Sequence, residues 1–519
     1  LMDATLKQQL ALLERAPECL QGMQRGLEKE ALRVQPDGWL AQTPHAAALG
    51  SALTHPNITT DYSEALIELI TPPCDSISGA LGWLDDVHRY VYANIGSERL
   101  WVNSMPCKLG PDSNIPLAQY GSSNIGRMKT LYRHGLGLRY GRRMQTIAGI
   151  HYNLSFPDSF WQRWLTQAGD TRSLQDFKSE KYLALVRNFQ RHSWLLLYLL
   201  GASPAVCGTF LEGRNHGLQA MPSGTLFLPQ ATSLRMSSLG YQNDAQSDLQ
   251  VSYNALSEYI HDLDRAIRTP YAPYVAAGVI KDGVYQQINA NILQIENEYY
   301  GLIRPKRTIR SGERPTQALA RRGVEYAELR CVDLDPFEPL GISRDSAHFL
   351  EVFALHCLLS DSPLFSDEDY RRLPLNQQAM VEHGRDAALQ LHGKNGDEDF
   401  RSLAAQLFGE LLPVAQLLDA AHTTGGYSSA LALQIDKLKE PAMTGSAMVL
   451  RSLQDHDGCF YHFAQDCADR MRERFLARPL ADDRLRELQM LAEQSLADQA
   501  ALEAQPQLAF DDFLAGYFA

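Results

Sequence analysis

Carboxylates planted inside apolar, strand-like segments constrain this chain more than any other feature. In Ala65-Leu66-Ile67-Glu68-Leu69-Ile70-Thr71 one acid interrupts a run that is aliphatic on both faces, and a carboxylate taken out of water needs a partner. Glu28 and Glu30 lie in an alternating segment over residues 25–34. Residues two apart on a strand point the same way, so these acids share a face with Leu32. At an effective dielectric near 20, unit charges ~4 Å apart repel by about 4 kcal/mol. The segment is therefore either a solvated edge, with Lys29 nearby, or part of a site that requires negative charge. Glu68 is either one half of a buried ion pair or a metal ligand, with Asp61 and Glu64 just upstream. Residues 325–332 repeat the device, placing Tyr326, Glu328, Arg330 and Val332 on one face. That arrangement is either a buried salt bridge or a metal-binding Glu328 beside an arginine that holds a phosphate.

The 519 residues, 45% hydrophobic and 21% charged, suffice for a large core. No Pro/Gly/Ser-rich linker divides them. Residues 1–345 mix short alternating segments with helices, whereas 346–519 follow helical periodicity, notably over 400–418 and 485–496. We expect a catalytic sheet region with inserted helices and a helical region packed on it as one unit. The clearest alternation runs over residues 145–156, with Ala148, Ile150, Tyr152, Leu154 and Phe156 on one face and Gln145, His151, Asn153 and Ser155 on the other.

A net charge of −13 argues against nucleic acid or an anionic membrane as partner. The most apolar stretch, 194–200, is too short to cross a bilayer of ~30 Å and reads as a buried helix. Eight cysteines form no CxxC pair or zinc spacing, as expected of reduced thiols in a cytoplasmic protein. Acidic strands converging without such ligands suit magnesium, which is held by a few carboxylates plus waters and substrate phosphates. No P-loop occurs, so any ATP binds on a sheet. The densest basic cluster, Ile303-Arg304-Pro305-Lys306-Arg307-Thr308-Ile309-Arg310, is either a triphosphate contact or a surface charge run. Arg133 and Arg235 are isolated cations suited to single carboxylates, and Tyr132, Tyr241 and Tyr300 suit an apolar pocket with polar tips.

These residues fall in ordered blocks: Gln24-Arg-Gly-Leu-Glu28-Lys-Glu30, Gly50-Ser-Ala-Leu-Thr54-His55, Ile58-Thr-Thr-Asp61, Leu117-Ala-Gln-Tyr-Gly121, Thr146-Ile-Ala-Gly-Ile-His151-Tyr-Asn153, Leu293-Gln-Ile-Glu-Asn-Glu298 and Ile303-Arg-Pro-Lys-Arg307. Together they resemble bacterial glutamate–cysteine ligase of the enterobacterial type, also called γ-glutamylcysteine synthetase. The resemblance implies an α+β fold: a funnel-like, mainly antiparallel sheet related to the glutamine synthetase catalytic fold, surrounded by helices. It implies three magnesium ions, for which manganese can substitute, on acids matching Glu28, Glu30, Asp61, Glu68 and Glu328. By the same resemblance Arg330, Glu328, His151 and Asn153 serve glutamate or the transferring phosphoryl group, and Lys306 and Arg307 serve ATP. Tyr62, Tyr132, Arg133, Gln145, Arg235, Tyr241 and Tyr300 would surround the substrates, with Tyr62 standing where the family has phenylalanine. The implied activity is ATP-dependent ligation of the γ-carboxylate of L-glutamate to the amine of L-cysteine in glutathione biosynthesis, by a monomer inhibited by glutathione. The same residues leave open a glutamine synthetase-like ligase with another amine, or a catalytically silent binding protein. Cys107 finds tryptophan rather than cysteine at position 164, so no regulatory disulfide is carried over.

Overall fold

The computed structural model describes residues 3–239, 244–247, 249–310 and 312–519. Its centre is a seven-stranded sheet formed by β1 (Gln24–Val34), β2 (Ile58–Thr60), β3 (Leu66–Ile70), β4 (Arg99–Leu100), β5 (Ile150–Ser155), β6 (Ile303–Lys306) and β7 (Tyr326–Val332). The order is β6-β7-β5-β1-β3-β2, with β4 on the far end of β1, and every pairing is antiparallel.

Register carries the acids to one face. Residues directly opposite in a ladder share a face, and the pairs include Glu30 with Glu68, Glu28 with His151, Asn153 with Glu328, and Glu328 with Arg304. Alternation sends Leu27, Lys29, Ala31, Ile67, Tyr152 and Leu329 to the opposite face, where all are buried. Behind that apolar face lie the helices Leu174–Leu200 and Arg344–Leu359, packed on each other, with Leu174–Leu200 also packed on β6 and β7. The apolar run at 194–200 is indeed the end of a buried helix. Among the described residues no helix is long and apolar enough to cross a membrane.

One strand is shorter than its alternation predicts. Residues 143–146 form a 3-10 turn and β5 starts at Ile150, so Gln145 stands before the strand instead of on it. The periodic segments beyond 345 become helices Phe400–Ala421 and Asp482–Ala504. The second of these meets the loop before β2, where Ser495 Oγ accepts from the Ser51 amide at 2.9 Å and the Ser495 carbonyl accepts from Thr54 Oγ1 at 2.6 Å. Gly50 is required there, because a Cβ would come within 2.9 Å of the Ala492 backbone.

Candidate active site

The polar face of the sheet floors a cavity of about 330 Å³, large enough for small-molecule substrates. Glu28, Glu30, Asp61, Glu68, His151, Glu328 and Arg330 line it together, although they come from β1, β2–β3, β5 and β7. Glu28 accepts from Asn153 Nδ2 at 2.9 Å and lies 3.2 Å from His151 Nδ1. Glu30 accepts from the Gly149 amide at 2.8 Å. Glu328 pairs with Arg330 at 3.0 Å and Lys306 at 3.3 Å. Asp61 and Glu68 have no side-chain hydrogen bond or ion pair with any described residue.

Charge is unevenly compensated across this floor. Burial and then the neighbours Glu28, Asp61 and Glu30 push the Glu68 carboxyl well above the ordinary range. Glu30 is raised to about 8 by burial and Asp61, against the pull of Arg235 and Arg330. Burial acts on Glu328 as well, but Lys306 and Arg330 overcome it and hold this acid well below the ordinary range. Glu28, half-buried at the cavity, is kept low against desolvation by its hydrogen bond to His151. Burial, then Arg330, lowers the His151 pKa.

This donor set fits a hard cation. One ligand atom each from Glu28, Glu68 and His151 lie within 4.8 Å of one another. Two carboxylates at that separation repel by about 3.5 kcal/mol at an effective dielectric of 20, which a divalent ion would reverse.

A bulge in β7 aims the arginine. The register slips by one residue between Leu329 and Val332, so Arg330 and Cys331 together face His151, and such an extra residue re-aims a side chain beside a site. Beneath it Arg235 turns inward from the 3-10 helix Leu234–Met236 and donates to the carbonyls of Arg330 at 2.9 Å and Val332 at 3.3 Å. Close approach of this guanidinium explains Gly149, whose Cβ would lie 2.1 Å from Arg235 Nη2.

Tyr62, Tyr132, Arg133, Gln145 and Tyr300 also line the cavity. Arg133 Nε donates to the Asp61 carbonyl while its guanidinium stacks on Tyr120, 4.6 Å from the ring centroid. The Tyr62 hydroxyl is buried with no hydrogen-bond partner among the described residues. Asn153 and Arg235 do not line the cavity: Asn153 bonds Glu28 on the same sheet face, and Arg235 bonds the Arg330 carbonyl. Arg307 turns away from the cavity and pairs with Glu325 at 3.5 Å. Tyr241 lies outside the described residues.

Arg304 shifts in weight, and Glu298 is among the lining residues the sequence does not single out. Arg304 lines the cavity beside Lys306, and strand alternation, which puts residues two apart on one face, selects it over Arg307. Glu298 also lines the cavity. It accepts from Arg139 at 2.9 Å and from Tyr140, and its second oxygen takes the Gln294 amide at 2.6 Å. It thereby ties the 293–300 segment to the helix Asn124–Tyr140 that carries Tyr132 and Arg133.

The glutamate-cysteine ligase family model matches residues 10–380. Glutamate–cysteine ligase of Alcanivorax borkumensis is 53% identical over 508 residues, 97% of each chain. That of Azotobacter vinelandii is 50% identical over 495 residues, covering 95% of this chain and 93% of the relative. The 2.0 Å crystal structure of glutamate–cysteine ligase from Francisella tularensis in complex with AMP superposes with a TM-score of 0.90 at 36% identity, over 96% of this chain and 97% of that one. A bifunctional glutathione synthetase from Pasteurella multocida gives 0.73 at 26% identity, over 93% of this chain but 58% of its own. The chain belongs to the glutamate–cysteine ligase family.

Proposed function

We propose that the acidic funnel carries out the ATP-dependent ligation of the γ-carboxylate of L-glutamate to the amino group of L-cysteine, with magnesium held by Glu28, Glu30, Asp61, Glu68 and Glu328. The observation that carries this reading is five acids, from three strands and the β2–β3 turn, meeting Arg330, Lys306 and Arg304 in one cavity. A carboxylate cannot expel oxide at neutral pH, so the γ-carboxylate oxygen first attacks the γ-phosphorus of ATP and releases ADP. The cysteine amine then attacks the acyl carbon, loses a proton, and inorganic phosphate leaves.

Each step needs charge placed in advance. Magnesium, when bound, offsets the charge of the carboxylates and phosphates it joins. Arg330, held by Glu328 and aimed by the bulge, presents a planar fork to the transferring phosphoryl oxygens. Lys306 and Arg304 extend positive charge along β6 toward the polyphosphate. Asn153 and His151 fix Glu28. Tyr62, Tyr132 and Tyr300 give the acceptor region apolar surface with polar tips, which suits an amino acid with a short side chain better than ammonia. Glutathione contains the γ-glutamylcysteinyl unit and fits as a competing inhibitor. A cytoplasmic monomer that also accepts manganese completes the reading.

The test is ADP release by the purified chain with magnesium. Release that requires glutamate and cysteine together is expected. Release that needs neither, or ammonia serving as well as cysteine, would overturn the assignment.

A further inference from the structure

A second cavity, of about 150 Å³, opens on the far side of the sheet. The helices Ile77–Asn94, Arg344–Leu359 and Tyr427–Lys439 all begin at its wall. Each helix start carries amides without intrahelical acceptors and about half a positive charge. Ser76 and Ser343 accept from the Gly79 and Ser346 amides, one per helix. In the third helix Asp419 takes the amides of Tyr427 and Ser428 at 2.8 and 3.0 Å, so that end is already capped.

A buried imidazole supplies an independent sign of a ligand. His348 lines the cavity and is only 6% exposed. Its Nδ1 is bonded to the Arg344 carbonyl at 2.9 Å, and its ring stands edge-on to Tyr427, 4.7 Å between centroids. Nε2 has no partner among the described residues. Across the same cavity the Nε2 of His422 is buried and equally unpartnered. Arg344 stands exposed at the cavity with no described carboxylate partner. Of the neighbouring acids, Glu351 is satisfied by Arg25, Tyr152 and Tyr427. Asp75 and Asp345 retain contact with solvent.

We propose that this cavity binds a small tetrahedral oxyanion, an inorganic phosphate or the phosphate group of a monoester, between Arg344, His348, His422 and the amides that open the first two helices. Water occupies about 30 Å³ per molecule, so the volume admits one phosphate group with a few waters and excludes a nucleotide. Because Nδ1 of His348 already gives its proton to a carbonyl, Nε2 can donate only when the ring is protonated. Binding therefore takes up a proton, and affinity falls as pH rises. Burial lowers the His348 pKa, opposed by Glu351, the hydrogen bond to the Arg344 carbonyl and Asp345, with the Arg344 charge adding the smallest lowering. Arg25, His422, Asp75 and Tyr427 complete the charged and titratable groups around the ring.

The experiment uses the full chain with magnesium, glutamate and a non-hydrolysable ATP analogue filling the catalytic cavity. Inorganic phosphate and glycerol phosphate are titrated separately while histidine ring nitrogens are followed by NMR. Two ring signals should move and saturate at millimolar phosphate, and the affinity should fall when pH is raised. Arg344→Ala and His348→Gln should each weaken binding roughly tenfold or more. Basal ligase activity should persist in both variants and so certify their folding. Equal binding of both anions assigns a phosphate group in general, and binding of phosphate alone assigns the free ion. A shift that never saturates, or an affinity unchanged in both variants, would overturn the site.

Discussion

The two faces of the central sheet bury the same chemical group in opposite ways. On the helix-packed face Glu351 is fully buried, yet both its oxygens are satisfied: Arg25 bonds them at 2.8 and 3.1 Å, and Tyr152 and Tyr427 donate at 2.7 and 2.8 Å. Against burial, Arg25 holds that carboxyl below the ordinary range. On the cavity face Glu68 has neighbours that are themselves acids, and it is driven the other way. Burial alone therefore does not separate a structural carboxylate from a functional one; its partners do. One acid completes a network within the chain, and the other lacks a positive charge that must come from outside.

Substitutions can break this contrast, and the largest effect is expected at the satisfied acid. Glu351→Ala leaves Arg25 buried and unpaired, which should cost about 3–5 kcal/mol in urea unfolding. The folded pKa of Glu351 is depressed, so its contribution is present above the unfolded value and lost as pH falls through the folded one. The cost of the variant should accordingly shrink in acid. Glu68→Gln should do the reverse, leaving the metal-free protein at least as stable as the wild type while lowering kcat by roughly 10²–10³-fold, the scale seen on removing one preorganised charge-stabilising group. Unfolding of Glu68→Gln at a lower urea concentration than the wild type would make it a structural acid after all. Arg330→Lys should lower kcat/KM by about ten- to a hundredfold, because a point charge cannot replace a planar fork. Smallest is Arg307→Ala, whose side chain faces Glu325; a surface pair of that kind is worth under about 1 kcal/mol. A large rise in the KM for ATP in Arg307→Ala would return that arginine to the nucleotide.

Legibility in the sequence followed how local each interaction is. Glu28, Glu30, Glu68 and Glu328 stand out because an acid breaks a period-two apolar pattern within a few residues, and that pattern also fixes the face on which they meet. The helices beyond 345 are legible for the same reason at period 3.6. Alternation in the sequence places Gln145 on a strand because it continues through a 3-10 turn that the backbone does not extend. The charge run groups Arg307 with Lys306, although alternation joins Lys306 to Arg304. Arg25 with Glu351, 326 residues apart, and Arg139 with Glu298, 159 apart, leave no local trace at all. Arg235 looks like an isolated cation for a ligand, and only the three-dimensional fold reveals the backbone carbonyls it holds.

The central claim is that Glu68, set among other acids, stays uncompensated until a cation binds, and the thermal midpoint of wild type against Glu68→Gln tests it most directly. The folded pKa of Glu68 is raised, so stability tied to this group is complete below the unfolded value and is lost as pH rises toward the folded one. Without metal, Glu68→Gln should melt above wild type by a margin that grows as pH rises above the ordinary carboxylate range toward the raised folded value. Saturating magnesium with nucleotide should raise the wild-type midpoint, by about 2.7 kcal/mol of stability at a hundredfold excess over Kd, and shrink or reverse that margin. A wild type that melts above Glu68→Gln at every pH without metal, and is indifferent to magnesium and nucleotide, would contradict the account.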